Sequence, residues 1–118
     1  MQLITAAQRQ KLLENGRAQR DAIDRQDQVL DFQPVVKLFT ADGNATWLLT
    51  ELNPDIDLAF GLCDFGLDQP ELGYVSLKEL TTARDPLGLP LECDPHFAPT
   101  VTISAYAERA REHRRIIA

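Results

Sequence analysis

Four segments in the middle of the chain combine apolar runs with alternating apolar and polar positions. They are residues 34–40, 46–52, 58–65 and 72–77, all rich in β-branched or aromatic side chains, as β-strands usually are. Short links rich in Asp, Asn, Gly and Pro separate the first three segments. Because these links are too short to hold crossover helices, the pattern predicts a four-stranded antiparallel meander.

A helix signal precedes the strands. Thr5 and Gln8 have the spacing of a capping box, and Gly16 is a natural C-terminal stop. The sequence therefore predicts a helix over residues 5–15, followed by a polar connector over residues 17–33.

Two further helices are expected after the last strand. Ser76 and Glu79 form a second capping box, which predicts a short helix over residues 77–83 within the meander region 34–99. Three- and four-residue spacing of apolar side chains predicts a C-terminal helix over residues 102–117.

Length and composition place these elements in one domain. The chain has 118 residues, of which 44% are hydrophobic, so it can bury a core without disulfides or a structural metal. The predicted fold class is α+β: one curved four-stranded antiparallel meander, with the N-terminal and C-terminal helices packed on one face.

Charge bears on the possible partners. Eighteen Asp and Glu oppose twelve Lys and Arg, giving a net charge of −6. This balance disfavours binding that depends on neutralising nucleic-acid phosphates. Nucleic acid stays open as a secondary partner because the charge is uneven, and a protein partner is preferred. The sequence does not define the oligomeric state.

The two cysteines and the apolar runs bear on location. Two cysteines thirty residues apart do not make a secreted disulfide framework. The first residues lack a signal-peptide pattern, and no apolar run reaches the ~18 residues of a membrane span. The expected location is the cytoplasm, with no membrane association and no cofactor.

The acidic side chains suggest one possible metal site. Glu51, Asp64 and Glu71 lie at strand ends, where neighbouring hairpins could bring them together as ligands for Mg²⁺ or Mn²⁺. The alternative is that they are solvated turn and strand residues. A zinc site would need all the remaining sulfur and imidazole ligands and has no paired spacing to support it. These ligands are Cys63, Cys93, His96 and His113.

Partner binding is the other role considered for polar and aromatic residues of the meander. An exposed aromatic patch would mark an interface, although core packing is the simpler explanation for Trp47. Arg84 beside Glu92 or Asp94 could equally form a structural ion pair. The candidate partner-binding residues are Trp47, Glu51, Asp64, Glu71, Tyr74, Arg84, Glu92 and Asp94.

Four arginines close the C-terminal helix. Positive charge at the C-terminal end of a helix is stabilised by the helix dipole, which is a structural explanation. Under the alternative nucleic-acid hypothesis they would contact phosphate. They are Arg109, Arg111, Arg114 and Arg115.

Three segments carry a family resemblance. The sequences PVVKLFTADGNATWLLTEL, FGLCDFGLDQPELGYVSLKEL and PLGLPLECDPHF, in that order, resemble the domain-of-unknown-function 2958 family of bacterial proteins. Two positions depart from the family pattern. Cys93 occupies a position where Arg is common in the family, and Asp85 occupies a position where a small or polar residue is common. If that Arg completes an ion pair or site with Glu92 or Asp94 in the family, the departure at Cys93 puts such a role in doubt here.

The resemblance implies a small single-domain protein of plasmids or other mobile elements. It implies no activity, although a label of single-stranded DNA endonuclease sometimes accompanies the family. The sequence shows no phosphate-binding glycine motif and no nucleophile elbow. The favoured hypothesis is a non-enzymatic acidic interaction module that serves a mobile element as an accessory or anti-defence protein. It would bind a host or element-encoded protein, and one form of this hypothesis is that it imitates DNA. The alternative is a metal-dependent single-stranded DNA endonuclease or a nucleic-acid-binding protein.

Overall fold

The computed structural model describes residues 2–118 and begins with one long helix, α1 (Ala6–Asp24). The predicted capping box is present: Thr5 accepts a hydrogen bond from the backbone N–H of Gln8, and the Gln8 side chain accepts one from the N–H of Thr5. The predicted helix end at residue 15 is wrong. The helix continues through Gly16, so its last two turns occupy part of the expected polar connector.

Five antiparallel strands form one sheet, whereas four were predicted. The strands are β1 (Val36–Phe39), β2 (Thr46–Leu52), β3 (Ala59–Asp64), β4 (Glu71–Val75) and β5 (Glu92–Cys93). They are ordered β4-β3-β2-β1-β5. The two-residue β5 pairs with β1 at the opposite edge from β4. The meander is therefore confirmed, and one short strand is added to it.

The core has two layers, one on each face of the sheet. On one face Leu12 of α1 packs with Trp47 and Leu49. On the other face Leu48 and Leu62 pack against α3 (Ile103–His113). The prediction that both terminal helices cover one face is wrong, because neighbouring strand residues point to opposite faces and both sets are apolar.

A β-bulge in β2 reverses which side chains face α1. The register of β2 against β3 shifts between Leu49 and Glu51, which places the extra residue at Thr50. Leu52 consequently joins the same core layer as Leu49 and Trp47. Strict alternation of side chains along the strand would have placed Leu52 on the other face.

Gly16 allows α1 to approach this bulged strand. A Cβ atom at Gly16 would lie 1.9 Å from the carbonyl oxygen of Leu52, which is far inside any tolerated contact. At the preceding position, the side-chain amide of Asn15 donates a 2.8 Å hydrogen bond to the carbonyl of Thr50. Gly16 is thus a close-packing residue within the helix rather than a stop signal.

The connector after α1 anchors the C-terminal helix. Asp31 accepts hydrogen bonds from the backbone N–H of Ser104 (3.1 Å) and from the hydroxyl of Thr102 (2.9 Å). Thr102, the N-cap residue of α3, makes no capping bond with its own side chain. The cap therefore comes from a residue more than seventy positions earlier in the chain.

A short helix, α2 (Leu77–Thr82), follows β4 as predicted. Its N-cap hydroxyl on Ser76 accepts from the N–H of Glu79 and donates to the Asp57 carboxylate. The hydrogen bond from Ser76 is the main reason that the pKa of Asp57 is lowered. None of the helices within residues 2–118 combines the length and the apolar content that crossing a membrane requires.

Candidate functional site

Strand β4 has a hydrogen-bonded neighbour on one side only. It pairs with β3 in the register Leu62 with Leu72 and Phe60 with Tyr74, and within residues 2–118 no strand lies beyond it. Its outer N–H and C=O groups are therefore available to another chain. The opposite sheet edge is the two-residue β5, so β4 is the longer free edge by three residues.

Apolar side chains remain exposed along this edge. Helix α3 covers Leu62 on β3 but leaves its cross-strand partner Leu72 at 36% exposure, and Tyr74 is 69% exposed. In the loop between β3 and β4, Phe65 and Leu67 are also exposed. We call these four residues, Phe65, Leu67, Leu72 and Tyr74, the β4 edge surface. Apolar side chains concentrated beside an unpaired strand are typical of an interaction surface.

Two cavities flank Tyr74, which lines both. The first, the Glu51 cleft, has a volume of about 280 Å³ and lies between the second half of α1 and the ends of β2 to β4. The second, the Trp47 pocket, has a volume of about 420 Å³ and lies between β4 and α2. Its walls are Trp47, Leu58, Phe65, Tyr74, Val75, Ser76, Glu79 and Leu80.

Glu51 is the half-buried carboxylate of the Glu51 cleft. The side-chain amide of Gln19 donates to it at 3.3 Å and also to the carbonyl of Leu30 at 3.0 Å. Burial raises the pKa of Glu51, and the hydrogen bonds from Gln19 and Thr50 only partly oppose that rise. Ionised Glu51 is therefore a cost to the folded state.

Replacing Glu51 by glutamine should make stability depend less on pH. A raised pKa means that the folded protein holds the proton of Glu51 more tightly than the unfolded protein does. The destabilisation by ionised Glu51 is therefore complete above its folded-state pKa and vanishes below its ordinary pKa of 4.5. We expect Glu51→Gln to increase the free energy of unfolding at pH 7 and to leave it unchanged near pH 4. Denaturant unfolding at both pH values measures this.

The matched control is Glu71→Gln, the same change at an exposed position. It should have little effect at either pH. An equal gain from both variants would show that the benefit comes from lowering the net negative charge, and not from the burial of Glu51.

The surroundings of β4 are acidic. Between Lys37 and Lys78 the sequence has seven Asp and Glu and no Lys, Arg or His. Asp68 and Glu71, at the start of β4, are exposed and take no part in the two ion pairs found in residues 2–118, which are Arg20–Asp55 and Arg25–Asp27. A chain that docks along β4 therefore meets uncompensated negative charge.

The predicted site residues separate into two regions of the sheet. Trp47, Glu51, Glu71 and Tyr74 lie on β2 and β4 or line the cavities beside them. The second region is near β5, at the other edge of the sheet, and contains Arg84, Glu92 and Asp94. The loops expected to form one site are therefore kept apart by the width of the sheet.

The expected ion pair of Arg84 does not form. Its guanidinium donates to the neighbouring carbonyl of Ala83, and neither Glu92 nor Asp94 pairs with it in residues 2–118. Asp94 instead accepts a hydrogen bond from the backbone N–H of His96. These residues shape a turn.

Asp64 has a structural role. Its buried carboxylate accepts hydrogen bonds from the backbone N–H of Gly66 at 2.9 Å and from that of Ile116 at 3.0 Å. It thus holds the loop after β3 and the segment after α3 together. Both oxygens are engaged in this way, so Asp64 is not displayed to a partner.

The three carboxylates considered for Mg²⁺ do not converge. Asp64 pairs with Thr46 at one end of the β2–β3 ladder, and Glu51 pairs with Phe60 at the other. Four residues of strand separate these rungs, which is about 13 Å. Across residues 2–118 no three Asp, Glu, His or Cys side chains are placed to share a metal ion, so the proposed zinc ligands do not assemble either.

The C-terminal arginines lie at the end of α3. The guanidinium of Arg109 lies 5.6 Å from the ring centre of Tyr106, a cation–π distance. Arg114 ends the helix in a left-handed conformation, and its N–H donates to the carbonyl of Ala110. Arg111, Arg114 and Arg115 are exposed. Their predicted phosphate contacts stay a prediction.

Sequence reasoning did not single out several residues of this site. Phe65, Leu67 and Leu72 were treated as loop or strand residues, and Gln19 as part of a polar connector. Alternation of Leu72 and Tyr74 at the end of a meander was the available signal for an exposed edge. No comparable signal marks Gln19, whose contacts depend on where α1 packs.

Comparison with known proteins gives a family but no activity. A family model described as "Protein of unknown function (DUF2958)" matches residues 3–117, nearly the whole chain. Neither a curated protein nor a solved structure matches the chain. The resemblance inferred from the sequence segments is confirmed.

Proposed function

The chain belongs to the DUF2958 family of proteins of unknown function, and we propose that it is a non-enzymatic protein-interaction module whose β4 edge receives an extended segment of a partner protein. The observation that carries this proposal is the free five-residue strand with exposed Leu72 and Tyr74. In such strand addition, main-chain hydrogen bonds supply affinity and pockets for alternate side chains supply specificity.

Charge indicates what kind of segment fits. The exposed Asp68 and Glu71 at the start of β4 favour a partner segment that carries Lys or Arg. A second copy of this chain is a poorer occupant, since each copy has a net charge of −6. The proposed partner is therefore a different, locally basic protein.

The structure supports imitation of DNA less well than strand addition as the mode of binding. A mimic needs free carboxylates arrayed on one surface, but several acids are engaged within the fold. Asp42 accepts from Thr40 and Asn44, Asp55 pairs with Arg20, and Asp64 is buried. We therefore favour the strand edge, with acidic residues as its flanks.

The biological setting is part of the same proposal. The family resemblance suggests a cytoplasmic accessory or anti-defence protein of a bacterial mobile element, with a host or element-encoded partner. A nuclease activity draws no support from the geometry, because Glu51 and Asp64 lie at opposite ends of their strands. The search for a partner should begin with proteins.

Blocking the strand edge should abolish partner capture. We expect the double variant Leu72→Lys/Tyr74→Lys to lose a protein that the wild-type chain retains from nuclease-treated bacterial lysate, because lysine on an edge strand opposes strand addition and repels a basic segment. Both positions are at least one-third exposed, so the fold should be kept. Affinity capture read by mass spectrometry measures the loss.

The control is Leu87→Lys, which also replaces an exposed leucine but lies in the loop between α2 and β5. It should retain the partner. Retention by the double variant would contradict the proposal. If the double variant loses self-association in sedimentation experiments, and no foreign protein is captured by the wild-type chain, the occupant of the β4 edge is a second copy of this chain. Captured material that disappears on nuclease treatment would favour nucleic acid.

A further inference from the structure

Trp47, which lines the Trp47 pocket, carries a hydrogen-bond donor without an acceptor. Trp47 is 5% exposed, and within residues 2–118 its indole N–H has no hydrogen-bond partner. Buried donors are nearly always paired in folded proteins, and each exception calls for an explanation. A ligand that brings an acceptor into this pocket would satisfy the indole N–H.

The other groups of the pocket limit which acceptor fits. Leu58, Val75 and Leu80 form apolar walls, which suit an apolar stem. The hydroxyl of Ser76 is already engaged with Asp57 and with the N–H of Glu79. The carboxylate of Glu79 disfavours an anionic acceptor, so the acceptor should be uncharged.

Phe65 packs against the indole of Trp47. Its ring lies edge-on to Trp47 with the ring centres 6.0 Å apart, while 54% of the residue is exposed. It belongs to the irregular loop between β3 and β4. Because the indole nitrogen lies below the surface, an acceptor reaches it only when a neighbouring side chain moves, and Phe65 is the half-exposed ring that packs against the indole.

The pocket lies along the path of a strand added to β4. It is lined by Tyr74 and Val75, the last two residues of β4, and by Ser76, which follows them. Side chains of an extended segment alternate between the two faces of a sheet, so one of them would be directed towards the pocket as the segment passes. The strand edge and the pocket therefore belong to one binding surface.

We propose that the Trp47 pocket is the specificity pocket of the β4 edge, and that it takes an uncharged side chain with an apolar stem and a terminal acceptor, such as glutamine, from a segment that also carries Lys or Arg. This inference rests on the proposed strand-addition function. It assigns the indole N–H of Trp47 as the recognising donor and Phe65 as the group displaced.

Selection from a phage-displayed library of randomised nonapeptides, with the full chain as target, tests the proposal. We expect selected peptides to share one glutamine-like position between basic residues. Replacing Trp47 by 3-benzothienylalanine, which has sulfur in place of the indole N–H, should weaken their binding about tenfold, as expected for one hydrogen bond. Trp47 is the only tryptophan, so its fluorescence also reports binding by the wild-type chain.

A double-mutant cycle separates hydrogen bonding from shape. Changing the shared glutamine to leucine should weaken binding to the wild-type chain but not to the benzothienylalanine protein. Some selected peptides could fail to bind Leu72→Lys/Tyr74→Lys and yet show no preference for an acceptor side chain, or no coupling in this cycle. That result would overturn the assignment of the pocket, while the proposed strand-edge function would stand. Failure to select any peptide that depends on β4 would overturn both.

Discussion

Substituting Gly16 by alanine should unfold the protein at markedly lower denaturant concentration. Alanine normally stabilises a helix by about 1 kcal/mol relative to glycine. At Gly16 the added Cβ would lie 1.9 Å from the carbonyl oxygen of Leu52, a backbone atom fixed within the sheet. Because α1 and β2 must separate to relieve this contact, we expect a net loss of about 3 kcal/mol in the free energy of unfolding, at the upper end of the cost of overpacking.

The measurement is urea unfolding followed by circular dichroism, with Gly73→Ala as the matched control. A Cβ at Gly73 meets no atom within 4 Å, and glycine weakens a strand relative to alanine, so this substitution should not lower stability and should raise it by about 0.5–1 kcal/mol. If Gly16→Ala were neutral or stabilising, α1 would not approach β2 as closely as described, and Gly16 would have no packing role.

Leu62→Ala should be the second strongly destabilising change. Leu62 is fully buried between β3 and α3, and removal of a buried leucine side chain costs about 2–5 kcal/mol. Its cross-strand partner Leu72 points to the same face but lies beyond the cover of α3. Leu72→Ala should therefore cost under about 1 kcal/mol.

The pair of variants tests the geometry on which the proposed function depends. The losses of stability are measured as shifts of the urea midpoint at constant slope. A much larger loss for Leu62→Ala than for Leu72→Ala would agree with a helix α3 that covers β3 but not β4. Comparable large losses would mean that Leu72 is buried as well, and the β4 edge surface would then be smaller than proposed.

Local signals predicted much of this fold. The four main strands, the capping box at Thr5, the N-cap at Ser76 and the start of the C-terminal helix follow from alternation, turn residues and cap chemistry. These features depend on residues within a few positions of one another. The order of the meander also follows, because short links leave antiparallel neighbours as the only arrangement. The second half of the expected capping box at Ser76, a bond from its N–H to the Glu79 side chain, is not formed in residues 2–118.

Features set by tertiary contact could not be read in this way. Gly16 has the local signature of a helix stop, yet the helix continues because the glycine packs against β2. The bulge at Thr50 places the side chain of Leu52 on the opposite face of the sheet from the one that strict alternation predicts. No local sequence pattern indicates this bulge. Strand β5 has only two residues, too few for any periodicity, and exists because β1 offers an edge.

The candidate site was predicted in part. Tyr74 and Trp47 were considered for partner binding, and they line one pocket. The carboxylates were harder to place, because sequence spacing does not tell which hairpin ends meet. Asp64 and Glu51 lie on neighbouring strands but at opposite ends of them. Arg84 lies near the far edge of the sheet.

The cap that Asp31 supplies to α3 has a consequence for the order of folding. The bond joins residues 73 positions apart, so it forms only after the intervening sheet has brought the connector and the C-terminal segment together. Contacts this distant in sequence slow folding and place α3 among the last elements to be secured. On a ribosome, the sheet would emerge and pair while its second face was still bare, and the arrival of α3 would complete the domain.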